Sequence, residues 1–199
     1  MTVTACYTNH SHSTIKLMQI GFDLDKVFID SPPLIPSRII EKFYKKRDNG
    51  ILQYRIPSYP EQLFRKSLHF PALRQPIKKN LALLRNISKK DNKIYLISSR
   101  YKFLEEITNK LIKKHNLDEV FDGLYFNYEN KQPHLFKEDV LKKLKLDMYI
   151  DDDLSLLKHV AKENPQTKFF WLSRGKIKQT LPNNIFQIEH LAEAFRPKT

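Results

Sequence analysis

Short apolar runs alternate with helical patterns along most of the chain. Apolar runs predict buried strands at about 17–23, 93–98, 123–127, 147–151 and 168–173. Between them, apolar residues spaced three and four apart predict helices at about 77–87, 104–112, 137–144 and 154–161. The C-terminal IFQIEHLAEAF adds a short strand and a closing helix. This alternation predicts an α/β fold, a three-layer α/β/α Rossmann-like arrangement with a mainly parallel sheet.

The alternation is interrupted after the first strand. Prolines break regular structure from residue 32 onward, and helical patterns follow at 39–44 and 63–68, with a turn at 48–50 between them. We therefore predict a core at 15–31 and 76–199 and a small helical insertion at 32–75. Residues 1–14 are polar and aperiodic, and we expect a flexible tail there.

Composition narrows the class of protein. A chain of 199 residues with 41% hydrophobic content fits one domain with an insertion. No apolar run is long enough to span a bilayer, and the N-terminus lacks the apolar middle of a secretory signal. The single cysteine, Cys6, excludes an intramolecular disulfide. We expect a soluble, cytoplasmic protein with no membrane partner, and nothing in the sequence points to an oligomeric state.

The net charge of +13 attracts anionic partners over a long range. The lysines are scattered in pairs such as Lys45–Lys46 and Lys142–Lys143, mostly on the solvent faces or ends of helical patterns. This distribution favours a solvated surface over a dedicated nucleic-acid groove, so binding of nucleic acid is the less favoured interpretation.

Two apolar runs end in acidic residues. The segment LMQIGFDLDKVF at 17–28 delivers Asp23 and Asp25 to the end of a strand, and DMYIDDD at 147–153 does the same with Asp151 and Asp152. Open α/β sheets place their chemistry at the carboxyl ends of the strands. Two acid-tipped strands in one sheet can converge on a divalent cation, since Mg²⁺ prefers hard oxygen ligands.

Four elements in this order resemble the haloacid dehalogenase superfamily of phosphohydrolases. They are DLDKV at 23–27, the strand that ends in Ser98, the lysine at 137 and the pair Asp151–Asp152. The family's first motif is DxDx[T/V], and Lys137 precedes Asp151 by 14 residues, as in many members. The resemblance covers about 17–173, and it implies that the insertion at 32–75 is a cap over the active site.

The resemblance also implies roles for these residues. Asp23 is the expected nucleophile, forming an aspartyl-phosphate, and Asp25 the expected general acid and base. Ser98 is expected to bind a phosphoryl oxygen, and Lys137 to neutralise the gathered negative charge. The expected cofactor is Mg²⁺, held by the Asp23 carboxylate, the Asp25 backbone carbonyl and Asp151, with Asp152 acting directly or through water.

Alternatives remain open at several positions. Ser98 can instead cap the following helix, with Ser99 as a second candidate for phosphate binding, and Lys137 can be a surface lysine, with Lys131 as the fallback. An aspartate at a strand end often caps the next helix, which we expect for Asp153. Arg100 either pairs with a nearby acid or reaches the substrate. His134 is more consistent with loop ordering than with catalysis.

One residue departs from the commonest family pattern. Lys26 stands where most members have glycine. A bulky cation at this position alters access of the leaving group or contacts an anionic substrate.

The substrate is the least constrained inference. The predicted cap mixes aromatic residues with arginines, which can stack on a base and bind anionic groups, although the aromatic residues also suit a small cap core. The candidate substrate contacts are Lys26, Arg38, Arg55, Arg65 and Arg100. The sequence thus predicts a Mg²⁺-dependent phosphatase of small phosphorylated substrates, with nucleoside monophosphates (a 5'-nucleotidase) and sugar phosphates both open. The alternative is a weak or inactive protein of this fold that binds nucleic acid or phosphorylated ligands through its basic surface.

Overall fold

A computed structural model describes residues 17–31, 45–48, 51–88, 92–175 and 179–196. The predicted tail at 1–14, the helical pattern at 39–44 and Arg38 lie outside these residues. The strands are β1 (Gln19–Phe22), β2 (Lys45–Asp48), β3 (Ile51–Tyr54), β4 (Lys93–Ser98), β5 (Gly123–Phe126), β6 (Met148–Asp151), β7 (Lys168–Leu172) and β8 (Ile185–Ile188). The helices are α1 (Tyr59–Leu68), α2 (Lys78–Ser88), α3 (Glu105–Lys114), α4 (Pro133–Leu144) and α5 (Leu154–Glu163), with 3₁₀ helices at Lys102–Leu104 and Leu191–Phe195.

Six strands form one sheet in the order β5-β4-β1-β6-β7-β8, and every neighbouring pair is parallel. Residues that alternate along a strand belong to two different apolar clusters. In β6, Ile150 packs with the buried faces of α2 and α3, whereas Tyr149 packs with those of α4 and α5. Helices therefore cover both faces, and the predicted three-layer α/β/α fold is confirmed.

The insertion differs in part from the prediction. β2 and β3 pair as antiparallel strands, with Asp48 opposite Ile51, and α1 follows them. The expectation of a mainly helical insertion is wrong for 45–54. The sequence Asn49-Gly50 between the two strands is a strong hairpin signal, since both residues tolerate the positive φ that a tight hairpin turn requires.

Two other elements differ from their predicted limits. The helix expected to begin at Lys137 begins four residues earlier, at Pro133, because proline fits the first turn of a helix, where no amide hydrogen is needed. The predicted closing helix is the short 3₁₀ helix Leu191–Phe195. Among the described helices, none is both long and apolar enough to cross a bilayer.

Gly21, in the middle of β1, tests how closely the sheet packs. A Cβ atom at this position would contact Leu146 Cδ1 and lie 2.8 Å from Tyr149 Cδ2, both in the core. We expect Gly21→Ala to lower the free energy of unfolding by about 1–3 kcal/mol, the usual cost of overpacking. Denaturant unfolding measures this, with Gly175→Ala as control, since the nearest atom to its added Cβ is Ser173 Oγ at 3.7 Å. Equal stability of the two variants would contradict the prediction.

Candidate functional site

The register of two central strands brings the first two carboxylates together. β1 and β6 run in parallel with Phe22 opposite Ile150, and the Asp23 amide donates a hydrogen bond to the Ile150 carbonyl at 2.9 Å. Asp23 and Asp151 therefore lie side by side at the carboxyl edge of the sheet. β4, on the other side of β1, ends at Ser98 on the same edge.

The chain makes the same turn after both strands. The Asp25 amide donates to Asp23 Oδ2 at 2.9 Å, and the Asp153 amide donates to Asp151 Oδ1 at 2.9 Å. Each turn uses one carboxylate oxygen and bends the chain away from the sheet. The other oxygen of each carboxylate is directed to a shared partner.

That partner is Lys137, from the second turn of α4. Its Nζ lies 2.7 Å from Asp23 Oδ1 and 2.6 Å from Asp151 Oδ2, and the side chain is buried. Burial lowers the pKa of Lys137, but the two carboxylates outweigh it and raise the pKa well above its usual value. Lys131, the fallback candidate, is exposed and pairs with Glu129 and Asp139. The structure therefore brings Lys137, and not Lys131, to the predicted acidic residues.

Asp152 completes the acidic group. Asp23, Asp151 and Asp152 each offer a carboxylate oxygen, and these oxygens lie within 4.8 Å of one another. Asp152 Oδ2 accepts a hydrogen bond from Lys26 Nζ at 2.6 Å. The Asp152 carbonyl accepts one from Trp171 Nε1, the only tryptophan in the chain, at 3.0 Å. Trp171 is therefore a natural optical reporter for this group.

The acidic group has raised pKa values. Burial raises the pKa of Asp23 to about 8, with Asp151 adding to the effect and Lys137 opposing it. Burial likewise raises the pKa of Asp152 to about 6, against the lowering effect of Lys26. Desolvation of charge thus outweighs pairing at both positions, and a divalent cation would favour the ionised forms.

Asp25 has the opposite environment. Its carboxylate accepts hydrogen bonds from Arg100 Nε at 2.9 Å and Arg100 Nη2 at 2.8 Å, and Arg74 also pairs with it. Burial raises the pKa of Asp25, but the two guanidinium groups lower it well below its usual value. Arg100 thus pairs with a nearby acid, and because it also lines the pocket over the site, its contact with the substrate stays a prediction.

A pocket of about 200 Å³ opens over these groups. Ser98 and Ser99 both line it, so both remain candidates for phosphate binding. Arg65 reaches the pocket from α1. Arg55 is instead bound to Glu61 within the insertion, and neither Arg55 nor Lys26 is among the residues that line the pocket.

Several contacts of the site have no local signal in the sequence. Tyr54, from β3, lines the pocket and donates from its hydroxyl to Asp153 Oδ2 at 3.1 Å. Its amide donates to Gln132 Oε1 at 2.8 Å, and Gln132 Nε2 donates to its carbonyl at 3.0 Å. Tyr149 donates to Asp151 Oδ2 at 3.0 Å. The contacts of Tyr54 join residues 78 and 99 positions apart, which periodicity cannot connect.

Asp153 and His134 are the two residues for which the sequence predicts a role in ordering the chain. Asp153 caps α5, since its carboxylate accepts hydrogen bonds from the amides of Ser155 and Leu156, as expected. His134 lies in the first turn of α4, where it is buried and packs against the rings of Tyr54 and His159. It makes no contact with the acidic group among the interactions described.

The acidic group suits a small divalent cation. Carboxylate oxygens are the hard ligands that Mg²⁺ prefers, and Mg²⁺ sites in proteins use one or two carboxylates and leave room for substrate phosphate. Asp23, Asp151 and Asp152 supply such oxygens on the floor of the pocket.

No protein-family model matches the chain, and no curated protein does. Several solved structures match the chain. A putative haloacid dehalogenase-like hydrolase from Bacteroides fragilis superposes with a TM-score of 0.60 at 18% identity, covering 90% of this chain and 100% of that one. The putative HAD-hydrolase YfnB from Bacillus subtilis, bound to magnesium, superposes with a TM-score of 0.59 at 14% identity, covering 90% of this chain and 97% of that one.

A third structure is a HAD family enzyme from Bacteroides thetaiotaomicron, an aspartate-to-alanine mutant in complex with magnesium and inorganic phosphate. It gives a TM-score of 0.54 at 15% identity, covering 91% of this chain and all of that one. At such identities the likeness concerns the fold. The chain has the haloacid dehalogenase-like hydrolase fold, as its sequence motifs predict.

The pKa values predict how metal binding depends on pH. Protons and Mg²⁺ compete for the same carboxylates, so the Mg²⁺ affinity should rise as pH rises through the pKa of Asp152, about 6, and that of Asp23, about 8. We expect the Kd to fall about tenfold per pH unit between these values and to level off above them. Titration of Trp171 fluorescence with MgCl₂ measures this. Asp151→Asn should abolish the response, and a pH-independent Kd would contradict the prediction.

Proposed function

We propose that this protein is a Mg²⁺-dependent phosphatase that hydrolyses a small phosphate monoester through a phosphorylated Asp23. The observation that carries the proposal is the placement of Asp23. It is buried beside Asp151, bound by Lys137 and exposed to the pocket at the carboxyl edge of a haloacid dehalogenase-like sheet. The magnesium and phosphate in the Bacteroides thetaiotaomicron structure support the same class of chemistry.

The first half-reaction transfers the phosphoryl group to Asp23. A carboxylate oxygen of Asp23 forms a bond to phosphorus, the ester P–O bond breaks, and the leaving oxygen takes a proton. In the second half, water attacks phosphorus, loses a proton to a base and releases inorganic phosphate and free Asp23. Lys137 offsets the negative charge of the Asp23 carboxylate when the phosphate anion approaches it, and stabilises that carboxylate as it leaves phosphorus in the second step, because its ammonium group contacts Asp23.

Mg²⁺, bound by Asp23, Asp151 and Asp152, would neutralise the phosphoryl oxygens. Ser98 or Ser99 would donate a hydrogen bond to one of them, since both line the pocket. The Ser99 hydroxyl is buried and has no partner within the described part of the chain, so a phosphoryl oxygen would satisfy it.

Asp25 is the residue whose role depends most on its surroundings. The guanidinium groups of Arg74 and Arg100 favour its ionised form, which suits a base that accepts a proton from water. To act as an acid toward the leaving oxygen, the carboxyl group must first leave these arginines.

The lining of the pocket guides the choice of substrate. Tyr54, His69 and Tyr101 provide rings, and Arg65 provides a cation that can bind an anion or stack on a base. Within the class of small phosphate esters, we propose nucleoside 5'-monophosphates as the first candidates. Sugar phosphates, which offer hydroxyl groups and no base, are the comparison.

The alternative is a protein that binds phosphorylated ligands with little or no turnover. The pairing of Asp25 with two arginines favours it, because the expected proton donor is held ionised. Measurement of hydrolysis decides between the two functions.

The nucleophile is tested with Asp23→Asn. We expect Mg²⁺-dependent release of phosphate from p-nitrophenyl phosphate and from the preferred nucleotide, and a loss in kcat of about 10³-fold or more in the variant. The control is Asp118→Asn, since Asp118 is exposed on the surface. A hydroxylamine-sensitive label from radioactive substrate should form on the wild type and not on Asp23→Asn. Undiminished turnover in Asp23→Asn would refute the proposal, and absence of turnover in the wild type would support the binding protein.

The acid role of Asp25 is tested with two leaving groups. General acid catalysis contributes about 10²–10⁴-fold, and mainly where the leaving oxygen is basic. We expect Asp25→Asn to reduce the rate of Asp23 phosphorylation by about 10²-fold or more for an alkyl phosphate, and by much less for p-nitrophenyl phosphate. Single-turnover kinetics measures the step, and melting curves check that each variant is folded. Equal losses on both substrates would exclude the acid role.

A further inference from the structure

The geometry points to Lys26 as a built-in cation of the metal site, which competes with Mg²⁺ for Asp152 and strengthens the binding of phosphate. The inference rests on the proposed function, because it concerns the same carboxylates. It differs from both roles that the sequence suggested for Lys26, namely contact with the substrate and control of access by the leaving group.

The Lys26 ammonium group contacts one carboxylate of the acidic cluster. Nζ lies 2.6 Å from Asp152 Oδ2, while the Asp152 main chain is held on its other side by Trp171. Asp152 shares its carboxylate cluster with Asp23 and Asp151. A cation that takes an oxygen of Asp152 to itself must be displaced, or must share that oxygen, when a metal binds there.

The backbone of Lys26 makes the placement specific. Lys26 has φ of 59°, in the left-handed region that glycine adopts freely and other residues adopt at a cost of about 1–2 kcal/mol. The Lys26 amide donates to the Ile29 carbonyl at 2.7 Å, and the Asn80 side chain donates to the Val27 carbonyl at 2.6 Å, so the turn that imposes this φ is well fixed. The turn therefore holds the lysine stem at the edge of the acidic cluster.

The summed charge of the cluster predicts how Lys26 affects the binding of Mg²⁺ and of phosphate. When all three carboxylates are ionised, which for Asp23 requires a pH above its pKa of about 8, they bring three negative charges, and Lys137 and Lys26 bring two positive ones, which leaves one net negative charge. With an uncharged residue at position 26 the balance would be more negative by one charge. A divalent cation would then bind more tightly, and a phosphate dianion would bind less tightly.

The pair is not explained by fold stability alone. The Lys26 side chain is 35% exposed and that of Asp152 is 18% exposed, so the pair is partly open to solvent and its contribution to stability is modest. Glycine adopts this backbone conformation freely, whereas lysine brings its charge to Asp152. Lys26 does not line the pocket, so it acts on the substrate through the charge of the cluster and not through direct contact with the leaving group.

The test compares Lys26→Gln, which removes the charge and keeps the length of the stem, with Lys26→Arg, which keeps the charge. The matched control is Lys145→Gln. Lys145 is also a left-handed lysine, with φ of 49°, but it is exposed at the end of α4. Lys26→Asn is the second charge-removing variant, since asparagine tolerates positive φ. Melting curves establish that each variant is folded.

Two binding measurements follow on each purified variant, at a pH above the pKa of Asp23, about 8, so that the carboxylate is ionised. Mg²⁺ affinity is measured by calorimetry and by Trp171 fluorescence, and affinity for inorganic phosphate is measured by calorimetry in the presence of a chelator. We expect Lys26→Gln and Lys26→Asn to tighten Mg²⁺ binding about tenfold and to weaken phosphate binding about tenfold, as loss of one nearby charge implies. Lys26→Arg and Lys145→Gln should stay within about twofold of the wild type.

Unchanged or weaker Mg²⁺ binding in the two charge-removing variants would overturn the inference, and so would absence of measurable Mg²⁺ binding in all variants. Failure here is distinguishable from failure of the proposed function. If the affinities do not change but hydrolysis depends on Asp23, only the role of Lys26 is wrong. If they change as expected but no hydrolysis occurs, Lys26 is confirmed as a cation of a binding site, and the phosphatase is excluded.

Discussion

Two carboxylates buried side by side repel each other and lose their hydration, and this constraint governs the centre of the molecule. Asp23 and Asp151 are fixed at the ends of adjacent parallel strands, so they cannot separate. The ammonium group of Lys137 offsets this repulsion because it contacts both carboxylates. It reaches them because α4 begins at Pro133 and packs against the sheet through Val140 and Leu141, which places Lys137 in its second turn, over the strand ends.

Asp23 and Asp25 show how environment divides the roles of two identical side chains. They are two residues apart, yet the pKa of Asp23 is raised by burial, while that of Asp25 is lowered, against burial, by two guanidinium groups. The turn that carries Asp25 away from the sheet moves it from a site rich in carboxylates to one rich in arginines. Within two residues, the chain thus goes from Asp23, which contacts the Lys137 ammonium, to Asp25, whose ionised form is stabilised by two arginines.

The sequence predicted those features that depend on local pattern. Neighbouring residues are enough to predict the buried strands, the helices and the acidic ends of β1 and β6. Parallel pairing of the strands then brings Asp23, Ser98 and Asp151 to one edge of the sheet. What the sequence left open depends on distant contacts. The pairing of Arg100 with Asp25, 75 positions away, is one such contact. The hairpin β2–β3 was missed because its signal is two residues long and lies within a segment of mixed patterns.

The two hydrogen bonds between Gln132 and the backbone of Tyr54 link parts of the molecule that have different tasks. Gln132 directly precedes the helix that carries Lys137, and Tyr54 ends the hairpin of the insertion. A single amide side chain therefore joins the hairpin to the start of the helix whose Lys137 contacts Asp23. The residue that precedes the Lys137 helix is thus also the residue that holds the end of the hairpin.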